Sequence, residues 1–222
     1  DGNIDIQAWM AGISEQVELL DTSRLQRACE WTQEVRDRAS ESEDLWATAE
    51  VDCFRTGLEM AEILTTLQVN EETLVAAVLY RAVREEKIAL KEVKEAFGPV
   101  VAQLIDGVLQ MAAISNLQSP TRDNILGQSD GQLTNVRKML VSLVDDVRVA
   151  LIKLAERTCA IRAVKNVDRK KRYLVSREVF DVYAPLAHRL GIGTIKWELE
   201  DLSFRYLKPN AYKEIASFLD ER

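Results

Sequence analysis

The stretch Val147–Ala163, VRVALIKLAERTCAIRA, places the tightest constraint on the fold. It holds neither glycine nor proline, and its first half is apolar enough to be buried on most sides of a helix. Its second half carries Glu156, Arg157, Thr158, Cys159 and Arg162 in the same register. A helix that runs through a core and then turns polar delivers side chains into a cavity.

The remaining chain reads as helices packed around this one. Stripes at helical spacing recur at Ile6, Trp9, Met10 and Ile13, then at Leu25, Ala28, Cys29, Thr32 and Val35 behind a cap at Asp21 or Ser23. Met60, Ile63, Leu64 and Leu67 form a third stripe, resuming from Gly57. Asn70 caps a helix with Glu71 and Glu72 in its first turn and Leu74, Val75, Val78, Leu79 and Ala82 on one face. A short helix over Leu90–Phe97 stops at Gly98, and Pro99 opens the next, with Val100, Val101, Leu104, Ile105 and Val108 inward. The strongest periodic run is Val136, Met139, Leu140, Leu143, Val144 and Val147, with Asp145–Asp146 as a bend before the central helix. Helices over Tyr173–Leu190 and Ile195–Leu207 and another from Asn210 close the chain. Ser40–Asp52, with five carboxylates and no Lys or Arg, reads as irregular; Ser115–Gly131 reads as a mobile loop, and Lys165–Arg172 as a solvated connection. No alternating strand pattern of useful length occurs. The fold class is all-α, a multi-helix bundle.

Composition excludes several functions. Net charge is −7, from 29 Lys+Arg against 36 Asp+Glu, which argues against a large nucleic-acid footprint. No run of about 18 apolar residues and no signal peptide is present, so a cytoplasmic location is expected. The three cysteines, Cys29, Cys53 and Cys159, fit neither a disulfide framework nor a Cys-x-x-Cys metal site. The single histidine, His188, excludes any site that takes two imidazoles from this chain. Asp at position 1 and Arg222 inside a charged helical pattern read as a piece of a longer protein.

Candidate site residues are polar groups where periodicity would bury them: Tyr80, Arg81, Arg84 and Glu85 on the Asn70-capped helix, with 81, 84 and 85 sharing a face, and Glu156 on the central helix. The residues alone leave Arg81 and Arg84 open between solvated helix charges and a buried pair of Arg81 with Glu85, four residues on; the resemblance given below adds Glu156 as a partner of Arg81. They equally leave Cys159 as packing, His188 as a structural histidine at a helix end, Arg137–Lys138 as a solvated face and Arg169–Arg172 as a solvated turn too short to imply RNA binding.

Four blocks carry a resemblance: EILTTLQVNEETLVAAVLY, FGPVVAQLIDGV, NVRKMLVSLVDDVRVALIKLAERTCAIRA and YAPLAHRLGIGTIKWELEDLSFRYL. From about Val51 onward the sequence resembles the amino-terminal HD domain of the long RelA/SpoT homologues, the (p)ppGpp enzymes of the stringent response. The resemblance implies an HD-domain bundle over 1–190 and a helical connection over 191–222 toward a synthetase domain absent from this chain. Family hydrolases bind manganese through a His, a His-Asp pair and a further Asp, beside a Glu-Asp pair that acts on water. The first His matches Thr56, the His-Asp pair Tyr80–Arg81, the Glu-Asp pair Arg84–Glu85 and the further Asp Glu156; a base-contacting asparagine matches Ala160, and the basic loop before the first His matches acidic Ala47–Asp52.

Every matched metal ligand is altered, and two arginines stand where a cation would sit. The resemblance therefore implies a hydrolase-dead domain of the RelA type: no catalytic residue, no cofactor for this chain, manganese binding lost, and a structural and regulatory role toward the synthetase. That absent domain would move pyrophosphate from ATP to the 3′-hydroxyl of GTP or GDP with magnesium, and ribosome and tRNA would be sensed by absent carboxy-terminal regions. The alternatives are a residual manganese-dependent (p)ppGpp 3′-pyrophosphohydrolase and a metal-free guanine-nucleotide-sensing module.

Overall fold

The computed structural model describes residues 4–17, 22–39, 52–117 and 146–220, and every regular element among them is helical. In order these are α1 (Ile6–Gln16), α2 (Thr22–Val35), α3 (Cys53–Thr65), α4 (Glu71–Arg84), α5 (Leu90–Phe97), α6 (Pro99–Leu117) and α7 (Val147–Ala163). A 3-10 turn (Val164–Asn166), α8 (Arg169–Glu178), a π turn (Val179–Tyr183), α9 (Ala184–Arg189), α10 (Gly193–Leu207) and α11 (Pro209–Asp220) follow. The chain divides into two compact units, 1–118 with 144–155, and 119–143 with 156–222, so α7 contributes to both.

In the first unit α4 is the core. Every residue from Thr73 to Arg84 is buried, so the single apolar face expected from periodicity is a helix enclosed on all sides. Small Ala76, Ala77 and Ala82 keep it slim, and α2, α3 and α6 of the same unit pack against it. Gly57 lets α3 come close: a Cβ there would stand 2.4 Å from the Val78 carbonyl oxygen of α4.

Caps explain the boundaries. Asn70 accepts from Thr73 N–H and, with Glu71 and Glu72 behind it, starts α4 as expected. Asp52, the last residue of the acidic stretch, caps α3 by accepting from the Phe54 and Arg55 N–H groups. Asp146 accepts from Arg148 N–H at the start of α7 and takes its guanidinium side-on, which lowers the Asp146 carboxyl pKa. Gly98, at φ +91, ends α5.

Other expectations are corrected as well. Ser23 lies inside α2 and does not cap it; Asp21, most of Ser40–Asp52, residues 118–131 and the run from Val136 to Asp145, with Arg137–Lys138, lie outside the described residues. Ser115, at the start of the expected loop, is still helical. In the second unit, Lys165–Arg172 is no simple connection: Asp168 caps α8, whose first turn is Arg169–Arg172. Exposed Asp168 accepts from the Lys171 and Lys170 N–H groups, which lowers its pKa.

The expected Tyr173–Leu190 helix is interrupted by the π turn, where Ala184 N–H bonds to Val179 C=O. Pro185 gives the reason: it has no N–H for the Asp181 carbonyl and its ring crowds that group, so the ladder widens one turn earlier. His188 is exposed in the last turn of α9, and the hydrogen bond at this helix end is made by its backbone carbonyl, from Gly191 N–H. Ile195, Leu199 and Ser203 form the buried face of α10.

Because no rotamer of alanine avoids a backbone carbonyl, Gly57→Ala is expected to lower stability by about 1–3 kcal/mol through overpacking. Urea unfolding followed by circular dichroism checks this, with Gly12→Ala as the control, since a Cβ at Gly12 meets nothing within 4 Å.

Candidate functional site

The first unit gathers Tyr80, Arg81, Arg84 and Glu85 at the C-terminal end of α4. All four are buried, which rules out solvated helix charges for Arg81 and Arg84. Arg81 Nη2 donates to Glu85 Oε1 at 2.9 Å, and Arg84 Nη1 donates to the Tyr80 hydroxyl at 3.3 Å. Cationic residues suit this end of the helix, where the dipole is negative.

The turn that ends α4 completes the cluster. Glu86 N–H bonds to Val83 C=O and Lys87 N–H to Ala82 C=O, with Glu86 left-handed at φ +57, the pattern of a Schellman cap. It folds Lys87 back so that its ammonium lies 3.2 Å from Glu85 Oε2, 2.8 Å from the Arg36 carbonyl oxygen and 4.0 Å from Cys53 Sγ. Glu85 thus has a cation on each oxygen. Burial pushes the Cys53 thiol up to about 11, with the Glu85 and Asp52 charges adding to it, so this cysteine is no thiolate nucleophile at neutral pH. Thr56 is half-buried on α3, its N–H bonded to the Asp52 carbonyl.

The second unit holds a cluster on the polar end of α7. Arg157 donates through Nε to Glu156 Oε2 at 2.7 Å and through Nη2 to Glu156 Oε1, so the carboxylate is gripped at both oxygens. Its Nη1 donates to Glu178 Oε2 at 3.0 Å, and its guanidinium lies 5.9 Å from the centre of the Tyr183 ring. Burial works against the charge on Arg157, but the Glu156 and Glu178 carboxylates outweigh it and hold its pKa well above the ordinary value. Cys159 is buried beside this cluster and Ala160 is half-buried.

The π turn matters here. Glu178 ends α8 and Tyr183 closes the π turn, so the widened segment holds both groups against Arg157. The sequence places Arg157 beside Glu156 on the polar half of the helix but gives no sign of their pairing; Glu178 and Tyr183, remote in sequence, carry no signal. Lys87 was likewise missed, because only the Schellman turn returns it to Glu85.

This donor set does not fit a divalent cation. Of the matched ligand positions Thr56, Tyr80, Arg81 and Glu156, the two that are charged are already engaged: Arg81 is a cation bound to Glu85, and Glu156 has both oxygens on Arg157. A hard cation needs several free oxygen or imidazole donors. Among the described residues no three His, Cys, Asp or Glu side chains converge as a metal site. The arrangement binds its own arginines instead.

Comparison with known proteins gives the setting. A family model described as "HD domain" matches residues 28–193. The chain is 46% identical over 166 residues to a GTP pyrophosphokinase of Escherichia coli (strain K12), covering 75% of this chain and 22% of that protein. It is 43% identical over 170 residues to a GTP pyrophosphokinase of Haemophilus influenzae, covering 76% and 22%. A GTP pyrophosphokinase of Streptomyces coelicolor is 39% identical over 165 residues, covering 74% and 18%. The chain thus spans about a fifth of the length of the curated relatives it matches.

Removing Arg157 alone leaves two carboxylates facing a buried space, so Arg157→Met is expected to cost about 3–5 kcal/mol. Glu156→Gln added to it should restore part of that loss, a coupling of about 0.5–3 kcal/mol readable in a double-mutant cycle of urea unfolding. Strict additivity would show that Arg157 and Glu156 do not act as a pair.

Proposed function

Since the chain belongs to the HD-domain family, in the form found in RelA/SpoT homologues, we propose that it is a hydrolytically inactive HD domain serving a (p)ppGpp synthetase as a structural and regulatory partner. The observation that carries this reading is the occupation of matched metal-ligand positions by internal ion pairs: Arg81 with Glu85, and Glu156 with Arg157. A metal-dependent hydrolase needs a bound water made acidic by a cation, and carboxylates free to orient it. Glu85 is held by Arg81 and Lys87, and Glu156 by Arg157, so neither carboxylate is poised as a base.

In this reading residues 1–190 keep the architecture of the hydrolase domain and 191–222 form the helical connection to the synthetase. Support comes from α10 and α11, which expose Trp197 at 72%, Ile215 at 51% and Phe218 at 63%. Large apolar side chains left in water at such levels suit a surface made to be covered. The transfer of pyrophosphate from ATP to GTP or GDP, with its magnesium, would belong to sequence outside the matched fifth of the relatives. So would ribosome and tRNA sensing. No described helix is long and apolar enough to cross a membrane, and a cytoplasmic setting agrees with the three free cysteines.

Two measurements test the reading. The purified chain, incubated with ppGpp and manganese, is expected to release no pyrophosphate above a metal-free blank, and manganese titration by calorimetry should give no saturable heat. Turnover above the blank would establish a residual hydrolase, and saturable heat from ppGpp or GTP without metal would establish a nucleotide-sensing module instead. In the full-length protein, Trp197→Ser with Phe218→Ser is expected to shift synthetase rate at least threefold while leaving the unfolding midpoint of the isolated chain unchanged. An unaltered rate would remove the regulatory role.

A further inference from the structure

The most cationic part of the molecule has no place in the reading above. Between Arg162 and Arg177 there are seven Lys and Arg residues and one carboxylate, Asp168, in a chain whose net charge is −7. Some of these cations are spoken for. Arg162 pairs with Glu198 at 2.5 Å and Arg177 with Asp181 at 2.6 Å. Arg172 donates to the carbonyls of Val164, Lys165 and Val167, which ties the 3-10 turn to α8, and its guanidinium lies 5.7 Å from the Tyr206 ring centre. Lys165, Arg169 and Lys170 are different: they are exposed, and among the described residues no ion pair engages them.

Their arrangement is a surface pattern, not a mere cluster. Along α8 and into the π turn, Arg169, Tyr173, Arg177 and Phe180 follow at intervals of four, four and three residues, which places them on one side of the helix. All four are exposed, Tyr173 at 44% and Phe180 at 41%, while Val175, Ser176, Val179, Val182 and Tyr183 form the buried side. Arg177 Nη1 donates to the Tyr173 hydroxyl at 3.3 Å, which steadies that ring at the surface. The core thus leaves two aromatic rings in water, about 10 Å apart at 1.5 Å per residue, with cations before and between them.

We infer that this outward face, made of Arg169, Tyr173, Arg177 and Phe180 with exposed Lys165 and Lys170 near its N-terminal end, binds single-stranded RNA. Charge complementarity selects a polyanion, and the interleaved rings select one with unpaired bases. Cations track the phosphates while aromatic faces stack the bases, without sequence readout. A duplex hides its base faces and would use only the cations. An acidic protein surface would use the cations and leave the rings unexplained. The inference does not rest on the loss of hydrolysis, since a metal-binding HD domain could carry the same face. A run of four basic residues is short by itself; the fold adds two exposed rings on the side of Arg169, with Arg177, paired to Asp181, between them.

Fluorescence anisotropy of the 222-residue chain with a labelled 12-nucleotide oligouridine tests this. Saturable binding is expected at 50 mM salt, weakening about 20- to 50-fold by 200 mM for three or four phosphate contacts. Tyr173→Ala and Phe180→Ala should each weaken binding at least fivefold, and Arg169→Ala with Lys170→Ala at least tenfold, with circular dichroism melts unchanged because all four side chains are exposed. Four results would overturn the inference: no binding at 50 mM salt, full affinity in both aromatic variants, tighter binding of the matching DNA oligomer, or a Phe180-dependent preference for phosphatidylserine vesicles.

Discussion

A buried guanidinium is costly to accommodate, and in the second unit α7, the end of α8 and the π turn converge on one. Arg157 is 1% exposed, yet its pKa is raised, because two carboxylates and a tyrosine ring surround it. That requires Glu178 at the end of α8, Tyr183 five residues on, and a segment wide enough to present both. Pro185 supplies the widening by denying Asp181 a hydrogen-bond donor. A proline, a π turn and an ion pair are thus one connected device, and it consumes the carboxylate of Glu156.

The end of α4 shows the same principle at smaller scale. Glu85 stands between Arg81 and Lys87, and a Schellman turn with a non-glycine residue in the left-handed position brings Lys87 there. Holding Glu86 at positive φ costs on the order of 1 kcal/mol relative to glycine. The ion pair it enables lies in the interior, where pairing is obligatory once the charges are buried. In both clusters protein cations neutralise carboxylates that a metalloenzyme would have to keep available.

Much of the secondary structure was legible. Asn70, Gly98, Pro99 and Gly191 act locally, through caps and φ preferences, and α4, α5, the start of α6 and the end of α9 follow them closely. Where legibility failed, the causes were of two kinds, partners one turn away and a local cap. The α4 stripe reads as one-sided because periodicity counts apolar residues, but Arg81 and Arg84 are buried through their partners. Lys165–Arg172 reads as a linker because of its charge, yet one Asp168 cap is enough to start a helix there.

By itself the sequence determined the helical class and boundaries such as Asn70 and Gly98, because each is a property of residue type and near neighbours; the list of altered ligand residues is what the resemblance implies. The tertiary structure alone decided what those residues do. Arg157, packed against Glu178 and Tyr183, makes Glu156 half of an ion pair. The opening stretch Val147–Ala163 is a helix that ends in a salt-bridged interior, because a charge removed from water must find its counter-charge in whatever the fold has brought within reach.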